Sequence, residues 1–452
     1  MNIITQKNKI NTAMLVSVLF TTIILFYGNF QFRAIFTWFP SLMIIFIATL
    51  FLIKSGKVDK IFLKVVVINS LWLVYALAFS FSVLNFNIHI KAILETFLYI
   101  LIFSIIINYF IKDVKKLFKT ILFSLNIFLM VSSFVFIFKI TGLYDDGHPF
   151  SSLYSNRNTY AFMAVVYLII ILNLPSYISY KFKTISILML LFFILITGSS
   201  KGSLGIIIVL VLYFLGKYSL KKIIFILPLF FILIFGSSFI FETTVIRLNK
   251  KIDAISKFEN NYRADNIGHN SAKVRIFLAY DAIDIFLDNK VSGVGVNNGQ
   301  FYLQIPKSFE SLMVSINSQN NITEMLLNVG FPGFLLFYLS LFYLLYKSIY
   351  TNSKNREIKL MVISLVILKI FMDIGMKSYN DAGHVLLLIL SWSLYYRFLN
   401  NQKKQTNATK FSSKIDFKSG IMKFTNWVNT QEVKDDNYTK SIDEIKDKGL
   451  YK

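Results

Sequence analysis

The sequence has 452 residues, of which 55% are hydrophobic and only 16% are charged, and its formal net charge is +23. Soluble domains carry roughly 25% charged residues, so this composition argues against a soluble α/β enzyme. Apolar runs of about twenty residues recur along the chain and predict an all-α, polytopic membrane protein. The positive residues lie in short gaps between these runs, which indicates membrane topology rather than nucleic-acid binding.

Metal and redox chemistry have little support in the sequence. The chain contains no cysteine and only four histidines, and these histidines lie far apart. Without cysteine there is no disulfide and no thiolate ligand, and the histidines lack the spacing of a metal site. We therefore expect no metal and no other cofactor.

We predict about twelve membrane spans, with ten or eleven true crossings left open. The predicted spans are approximately 10–28, 32–53, 61–84, 90–111, 117–140, 158–180, 184–200, 202–216, 223–241, 321–346, 360–375 and 384–396. They divide the chain into an N-terminal bundle (1–241), a long polar loop (242–320), C-terminal helices (321–396) and a basic tail (397–452). We expect the tail to be cytoplasmic and largely disordered.

Lysine and arginine concentrate in alternate gaps between the spans. The basic gaps are 54–60, 112–116, 181–183, 217–222 and 347–359, whereas most of the other gaps are neutral or acidic. Under the positive-inside bias, both termini face the cytoplasm and the loop 242–320 lies outside the cell.

The external loop contains a segment with helical hydrophobic periodicity, from 271 to 289. We interpret it as an amphipathic helix on the outer membrane surface, with Arg275 at headgroup depth. A guanidinium there suits a phosphate group, because its planar fork binds two oxygens at once. The alternative is an ion pair with Asp281, Asp284 or a lipid phosphate.

Other cations and glycines near the outer face are weaker candidates. Arg247 and Arg263 belong to the same loop, and Lys201 lies in the outer turn TGSSKG, where it either snorkels to the interface or binds a phosphate. The glycines of GVGVNNG (293–299) lack the spacing and the strand–helix context of dinucleotide binding. We interpret them as positions where backbone turns beside a sugar or a phosphate.

Several polar residues at predicted helix starts could bind sugar or act as a base. Gln319 and Asn320 suit sugar hydroxyls or a helix cap, and Glu324 follows as a first-turn carboxylate or a general base. Asn158 is a cap or a ligand at another external helix start, and His148 nearby is a candidate base. Asp146 and His269 are further base candidates that the sequence does not rank.

Lys369 and Asp373 lie four residues apart inside a predicted span. One interpretation is a helical ion pair, and the other is a proton or ion path. The second interpretation supports a transporter as an alternative function.

The order of four segments resembles the O-antigen ligase and polymerase superfamily over about 155–335. The segments are SNRNTYAFM, TGSSKGSLG, RIFLAYDAIDIFLDNKVSGVGVNNGQF and SQNNITEMLLNVGFPG. Arg275 and Asn320 match family positions. Lys201 stands where members often have arginine, and Gln319 stands where many have histidine, so a histidine-base mechanism does not carry over.

The resemblance implies metal-independent glycosyl transfer outside the bacterial cytoplasmic membrane, with a polyprenyl-diphosphate-linked glycan as donor. The family's loop arginine is thought to hold the donor diphosphate. We expect the protein to polymerise undecaprenyl-diphosphate-linked repeat units into capsule, exopolysaccharide or O-antigen. Candidate catalytic residues are Arg275, Glu324 and His148; candidate substrate-binding residues are Lys201, Arg247, Arg263, Asn320, Gln319 and Asn158.

Expected partners are membrane lipids and lipid-linked oligosaccharides, with a flippase and a chain-length regulator as candidates and no nucleic acid. Two alternative functions stay open. A ligase would transfer the same donor glycan to a different acceptor. A lipid-oligosaccharide flippase or transporter would move the glycan without transferring it.

Overall fold

The computed structural model describes residues 18–19, 21–23, 39–55, 58–80, 83–110, 114–141, 150, 152, 156–174, 179–217, 271–303, 317–318, 320–351, 353 and 355–400. Within these ranges the secondary structure is helical and contains no strand, which confirms the all-α prediction. The predicted span 223–241, most of the span 10–28 and the tail after 400 lie outside the described residues.

The helices follow the apolar runs closely. They are α1 (Phe39–Ser55), α2 (Lys60–Ala78), α3 (Phe86–Ser104), α4 (Val114–Ile140), α5 (Arg157–Asn173), α6 (Tyr180–Ile196), α7 (Ser200–Lys217), α8 (Ser271–Asp288), α9 (Asn321–Tyr350), α10 (Arg356–Asp373) and α11 (Ala382–Leu394). Short π-helices, Ile105–Phe110 and Tyr395–Asn400, extend α3 and α11.

Six of the described helices are long and apolar enough to cross a membrane. They are α2, α3, α4, α7, α9 and α11, the last counted with its extension to Leu399. The protein is therefore a multi-pass membrane protein, while the prediction of about twelve spans is not confirmed.

Two helices form the centre of the described fold. Every residue of α5 from Tyr160 to Asn173 is buried, and so is every residue of α11. Both helices are apolar on all sides, as expected for helices surrounded by protein rather than by lipid on one face. Phe162 of α5 stacks on His384 of α11 with ring centroids 3.9 Å apart, so the two central helices meet near the starts of both.

Peripheral helices present large apolar side chains outward. On α4, Phe134 and Ile140 are 54% and 66% exposed, and on α2, Val74 is 64% exposed. Outward apolar surface on this scale suits a lipid environment, because a soluble monomer rarely exposes such contiguous patches.

Contacts between the gaps agree with the predicted alternation of sides. On the predicted cytoplasmic side, Arg397 at the start of the tail pairs with Asp59 of the basic gap 54–60 at 3.6 Å. Among the other gaps, the hydroxyl of Ser199 donates to Asn158 Oδ1 at 2.8 Å. In both contacts the two residues belong to the same predicted side of the membrane. The assignment of one side to the cell exterior stays a prediction.

Helix α8 confirms the predicted amphipathic helix but corrects its setting. Phe277 and Leu278 are buried against Leu327 of α9 and against the segment that follows α8. The apolar face that we assigned to the membrane surface therefore packs on protein. The outward side of the same helix carries Tyr280 and Leu287, which are 54% and 50% exposed, so the helix has a second apolar stripe.

Helix α9 is interrupted at Gly330, and this break positions the segment that follows α8. Gly330 has φ +66°, and Pro332 lacks the N–H that would bond the carbonyl of Asn328. The segment after α8 satisfies the released groups. Val294 N donates to Leu327 O at 2.8 Å, Gly295 N donates to Asn328 O at 2.9 Å, and Phe331 N donates to Lys290 O at 2.8 Å.

Glycine is required where the backbone of α9 contacts the backbone of the segment that follows α8. A Cβ on Gly330 would lie 2.1 Å from the carbonyl oxygen of Val291, and a Cβ on Gly293 would lie 2.5 Å from the carbonyl carbon of Asn328. Both residues also have positive φ, which side chains disfavour. We had interpreted Gly293 as a turn beside a ligand, whereas it lies against helix backbone.

Replacing Gly330 with alanine is expected to destabilise the protein by about 2 to 4 kcal/mol, because the new Cβ overlaps backbone and the residue keeps a strained φ. The measurement is thermal unfolding in detergent. The matched control is Gly205→Ala on α7, whose Cβ would meet only side-chain atoms of Val165 and Met372 at 3.3 Å. Equal melting temperatures for the two variants would contradict the account of the break.

Candidate active site

The segment from Gly293 to Phe301, which we call the glycine segment, is tied to the start of α3 as well as to α9. The side chain of Asn298 is fully buried; its Oδ1 accepts from Asn85 N at 2.8 Å and its Nδ2 donates to Asn85 O at 3.2 Å. Val296 N donates to His89 Nδ1 at 2.8 Å. Because a backbone N–H only donates, His89 carries its proton on Nε2, 3.0 Å from Ser80 Oγ.

Glu324 is buried in the first turn of α9 and is surrounded by donors. One carboxylate oxygen accepts from Ser318 N at 2.8 Å and from Ser318 Oγ at 2.9 Å. The other accepts from Asn328 Nδ2 at 3.0 Å and lies 3.5 Å from Lys377 Nζ. A carboxylate offers about four lone-pair sites, so these donors occupy its capacity. Asn320 caps the same helix through Ile322 N at 2.9 Å, which confirms the capping interpretation.

The turn between α10 and α11, residues 374–381, brings Lys377 to this carboxylate. Lys377 Nζ also donates to Asn297 Oδ1 of the glycine segment. The same oxygen accepts from the hydroxyl of Tyr379 at 3.1 Å. The turn therefore connects the start of α9 to the glycine segment through one ammonium group.

A second polar cluster lies deeper and fixes the base of that turn. Lys369 and Asp373 are fully buried and form the predicted ion pair. Lys369 Nζ also donates to Ser378 Oγ at 2.9 Å, and the hydroxyl of Tyr338 donates to Asp373 at 3.0 Å. Asn321 Oδ1 accepts from the backbone N–H groups of Ser378 and Tyr379, each at 2.8 Å. The pair thus holds the turn on α9.

Lys201 reaches the same turn from another direction. It lies in the first turn of α7, and its Nζ donates to the carbonyl of Gly375. Asn158, predicted as a helix cap, instead accepts from Ser199 Oγ at 2.8 Å. The cap of α5 is Asn156, whose side chain accepts from Asn158 N at 2.8 Å. Asn158 is therefore available for the start of α7 because the cap lies two residues earlier than predicted.

Arg275 has no anionic partner among the residues that the structure describes. Its side chain is half-buried on α8, and within the described residues it makes no hydrogen bond and no ion pair, either with Asp281 or with Asp284. Burial lowers the pKa of the Arg275 guanidinium, although this group stays protonated in proteins. A partly desolvated cation without a counter-ion attracts an anion more strongly than a solvated one.

The structure brings together part of the predicted site. Lys201 contacts the turn 374–381 through Gly375, and Glu324 contacts it through Lys377. Asn158 accepts from Ser199, two residues before Lys201, and Asn320 accepts from Ser318, which also contacts Glu324. Arg275 is one helix removed, on α8, which packs on α9 through Leu327. The remaining predicted site residues lie outside the described residues: His148, Arg247, Arg263 and Gln319.

Lys377 and Asn297 were missed by sequence reasoning. One signal was present for Lys377, because a lysine in a short gap on the predicted outer side runs against the positive-inside bias. Asn297 had a weaker signal in a segment with three glycines. Their contact joins residues 80 positions apart, which no local pattern reveals.

Residues 184–338 match a family described as O-antigen ligase. This segment runs from α6 through the first part of α9 and contains Lys201, Arg275 and Glu324, so the resemblance seen in the sequence is confirmed there. Such proteins are membrane glycosyltransferase-like enzymes that act on lipid-linked glycans. No curated protein matches the chain. Lys377 and the buried pair lie beyond the matched segment.

Replacing Lys369 with methionine is expected to destabilise the protein by about 3 to 5 kcal/mol, because Asp373 is then buried without its cation. The double variant Lys369→Met with Asp373→Asn removes both charges and is expected to recover most of this loss. The measurements are thermal unfolding and glycan synthesis in cells. Recovery of stability without recovery of function would contradict a purely structural pair and would favour an ion path.

Proposed function

We propose that this protein polymerises polyprenyl-diphosphate-linked oligosaccharide repeats on the outer face of the bacterial cytoplasmic membrane. The observation that carries the proposal is Arg275, a half-buried cation with no anionic partner among the described residues, inside the segment that matches the O-antigen ligase family. A diphosphate supplies the missing negative charge, and the guanidinium fork binds two of its oxygens.

The reaction needs charge stabilisation more than covalent chemistry. An acceptor hydroxyl oxygen attacks the anomeric carbon of the donor sugar, and the bond from that carbon to the diphosphate oxygen breaks. The polyprenyl diphosphate leaves with the electron pair, and the hydroxyl proton passes to a base or to water. Arg275 stabilises the negative charge that grows on the leaving group, which is the effect of a preorganised donor in an oxyanion site.

Lys201 is the second cation proposed for the diphosphate. Its ammonium donates to the carbonyl of Gly375, which holds the positive charge beside the turn 374–381. Lysine keeps the charge of the family's arginine but not the bidentate fork, so we assign it electrostatic attraction rather than orientation. Arg247 and Arg263 stay proposals as further diphosphate ligands from the same external loop.

Glu324 is better placed to position the site than to act as its base. A base must accept a proton from substrate, whereas both oxygens of this carboxylate already accept protein donors. Its contacts hold Ser318 and Lys377 at the start of α9, beside Asn320, which we propose as a ligand for sugar hydroxyls. The assignment of a base to His148 stays a proposal.

Loss of a ligase and loss of a flippase would leave different glycans in the cell. A ligase would use the same donor but transfer finished polymer to another acceptor, so its loss would leave full-length polymer unattached. A flippase would carry the glycan across the membrane, so its loss would trap single repeats inside. The buried pair Lys369–Asp373 is the observation in favour of transport, but both residues are satisfied by protein partners.

Replacing Arg275 with alanine is expected to abolish high polymer and to leave single repeats at the surface, because the leaving group loses its stabilising charge. Removing one such donor lowers rates by about 100- to 1,000-fold. Arg275→Lys is expected to retain partial activity, since the charge remains. The measurement is the glycan ladder of a deletion strain at matched protein levels. Lys290→Ala, which removes an exposed lysine just after α8, is the charge control; an unchanged ladder for Arg275→Ala would refute the proposal.

Replacing Glu324 with glutamine separates a positioning carboxylate from a base. The new amide N–H groups would face the donors of Asn328 or Lys377, so we expect a loss of about 1 to 3 kcal/mol in stability together with reduced polymer. The double variant Glu324→Gln with Asn328→Asp exchanges acid and amide across one helical turn. We expect it to restore both stability and polymer; restored stability with no polymer would identify Glu324 as the base.

A further inference from the structure

Asn297 presents two hydrogen-bond donors that the described protein does not use. Its Oδ1 accepts from Lys377 Nζ and from the hydroxyl of Tyr379. An ammonium only donates, so the atom facing Lys377 must be the oxygen, and this contact fixes the orientation of the amide. The Nδ2 group therefore points to the opposite side, and within the described residues it donates to none.

The backbone at Asn297 is held in a conformation that few residues adopt. Its φ is +61°, in the left-handed region, where asparagine is better tolerated than most side chains. Both neighbours are fixed: Val296 N donates to His89, and Asn298 exchanges hydrogen bonds with Asn85. Such strain persists only where the surroundings enforce it, and it clusters at sites that bind ligands. The amide donors are thus preorganised.

The local charge favours a neutral ligand. The ammonium of Lys377 lies 3.5 Å from Glu324, which compensates much of its charge, and 20% of the Lys377 side chain is exposed. A diphosphate needs a cation without such a partner, as at Arg275. A small number of fixed polar groups, such as Asn297 Nδ2 and Lys377 Nζ, is what orients a small polar organic ligand in a binding site.

We propose that Asn297 Nδ2 and Lys377 Nζ form a subsite that donates hydrogen bonds to the hydroxyl or carbonyl oxygens of an uncharged sugar in the lipid-linked glycan. This inference rests on the proposed function. It adds a site that binds the sugar of the donor or acceptor rather than the diphosphate. Tyr379 and Glu324 act indirectly in this subsite, because they orient Asn297 and Lys377.

The test removes the Nδ2 donors of Asn297 and keeps the contacts of its Oδ1 with Lys377 and Tyr379. Asn297→Asp keeps the shape, the tolerance of positive φ and the oxygen that faces Lys377 and Tyr379, but it turns the outward donors into an acceptor. Gln300→Glu, on a half-exposed side chain three residues along, adds the same negative charge and is the matched control. The full-length protein is placed in lipid nanodiscs. The probes are the lipid-free repeat-unit oligosaccharide, released from the producing cells by mild acid, and inorganic diphosphate.

Wild type and Gln300→Glu are expected to bind the oligosaccharide with Kd values within about twofold of each other, whereas Asn297→Asp weakens binding by about tenfold or more. Diphosphate binding is expected to be the same in both variants. Kinetics with purified lipid-linked repeats then distinguish the source of the sugar. A raised KM for added lipid-free acceptor assigns the subsite to the acceptor, and a raised KM for the lipid-linked donor assigns it to the donor.

Oligosaccharide binding by Asn297→Asp equal to wild type would overturn the inference, and so would the absence of oligosaccharide binding by wild type. A loss of diphosphate binding in Asn297→Asp beyond that in Gln300→Glu would also overturn it, because the amide would then contact the leaving group. If Asn297→Asp lowers the melting temperature, Asn297→Gly removes the donors in a residue that suits positive φ. A normal glycan ladder in the deletion strain would instead refute the proposed function itself.

Discussion

The interruption of α9 is the constraint on which the packing of α8 and the glycine segment depends. A helix broken by Gly330 and Pro332 leaves carbonyl groups of the preceding turn without helical partners, and water is scarce near lipid, so each must be bonded by protein. The chain after α8 supplies N–H groups from Val294 and Gly295 and accepts one bond at Lys290. These bonds join the loop to the helix through backbone alone. The loop that carries Arg275 is therefore an extension of the helical bundle rather than a separate covering.

The cations at this end of the described fold differ in the partners that they contact. Lys369 is neutralised by Asp373 inside the bundle, and Lys377 is largely neutralised by Glu324 nearer the surface. Lys201 contacts a carbonyl, and Arg275 lacks a partner among the described residues. The compensated cations give the turn 374–381 its shape, because a buried ion pair restricts the geometry of what it joins. Arg275, which has no anionic partner among the described residues, remains available to an anionic ligand, and the proposed mechanism therefore assigns it to the diphosphate.

Local sequence information predicted the helices and several of their ends, and tertiary contacts explain what it missed. The amphipathic helix, the cap at Asn320 and the Lys369–Asp373 pair each depend on residues within a few positions of one another. Lys377 and Asn297 escaped notice because their meeting depends on how distant segments fold together. The apolar face of α8 was assigned to lipid, since periodicity indicates burial but does not distinguish lipid from protein. Asn156 caps α5 in place of Asn158 because either asparagine could start the helix, and only the contact with Ser199 decides.

The left-handed backbone at Asn297 has a consequence for how this protein can change over generations. Most single substitutions at that position would strain the turn before they altered any ligand contact, so few side chains can be sampled there without loss of the fold. Glycine tolerates the backbone conformation but has no hydrogen-bond donor in a side chain. Aspartate keeps the shape of asparagine but replaces the amide donors with an acceptor. Adaptation to a new glycan would therefore proceed at side chains whose backbone is not strained, while the asparagine stays constant.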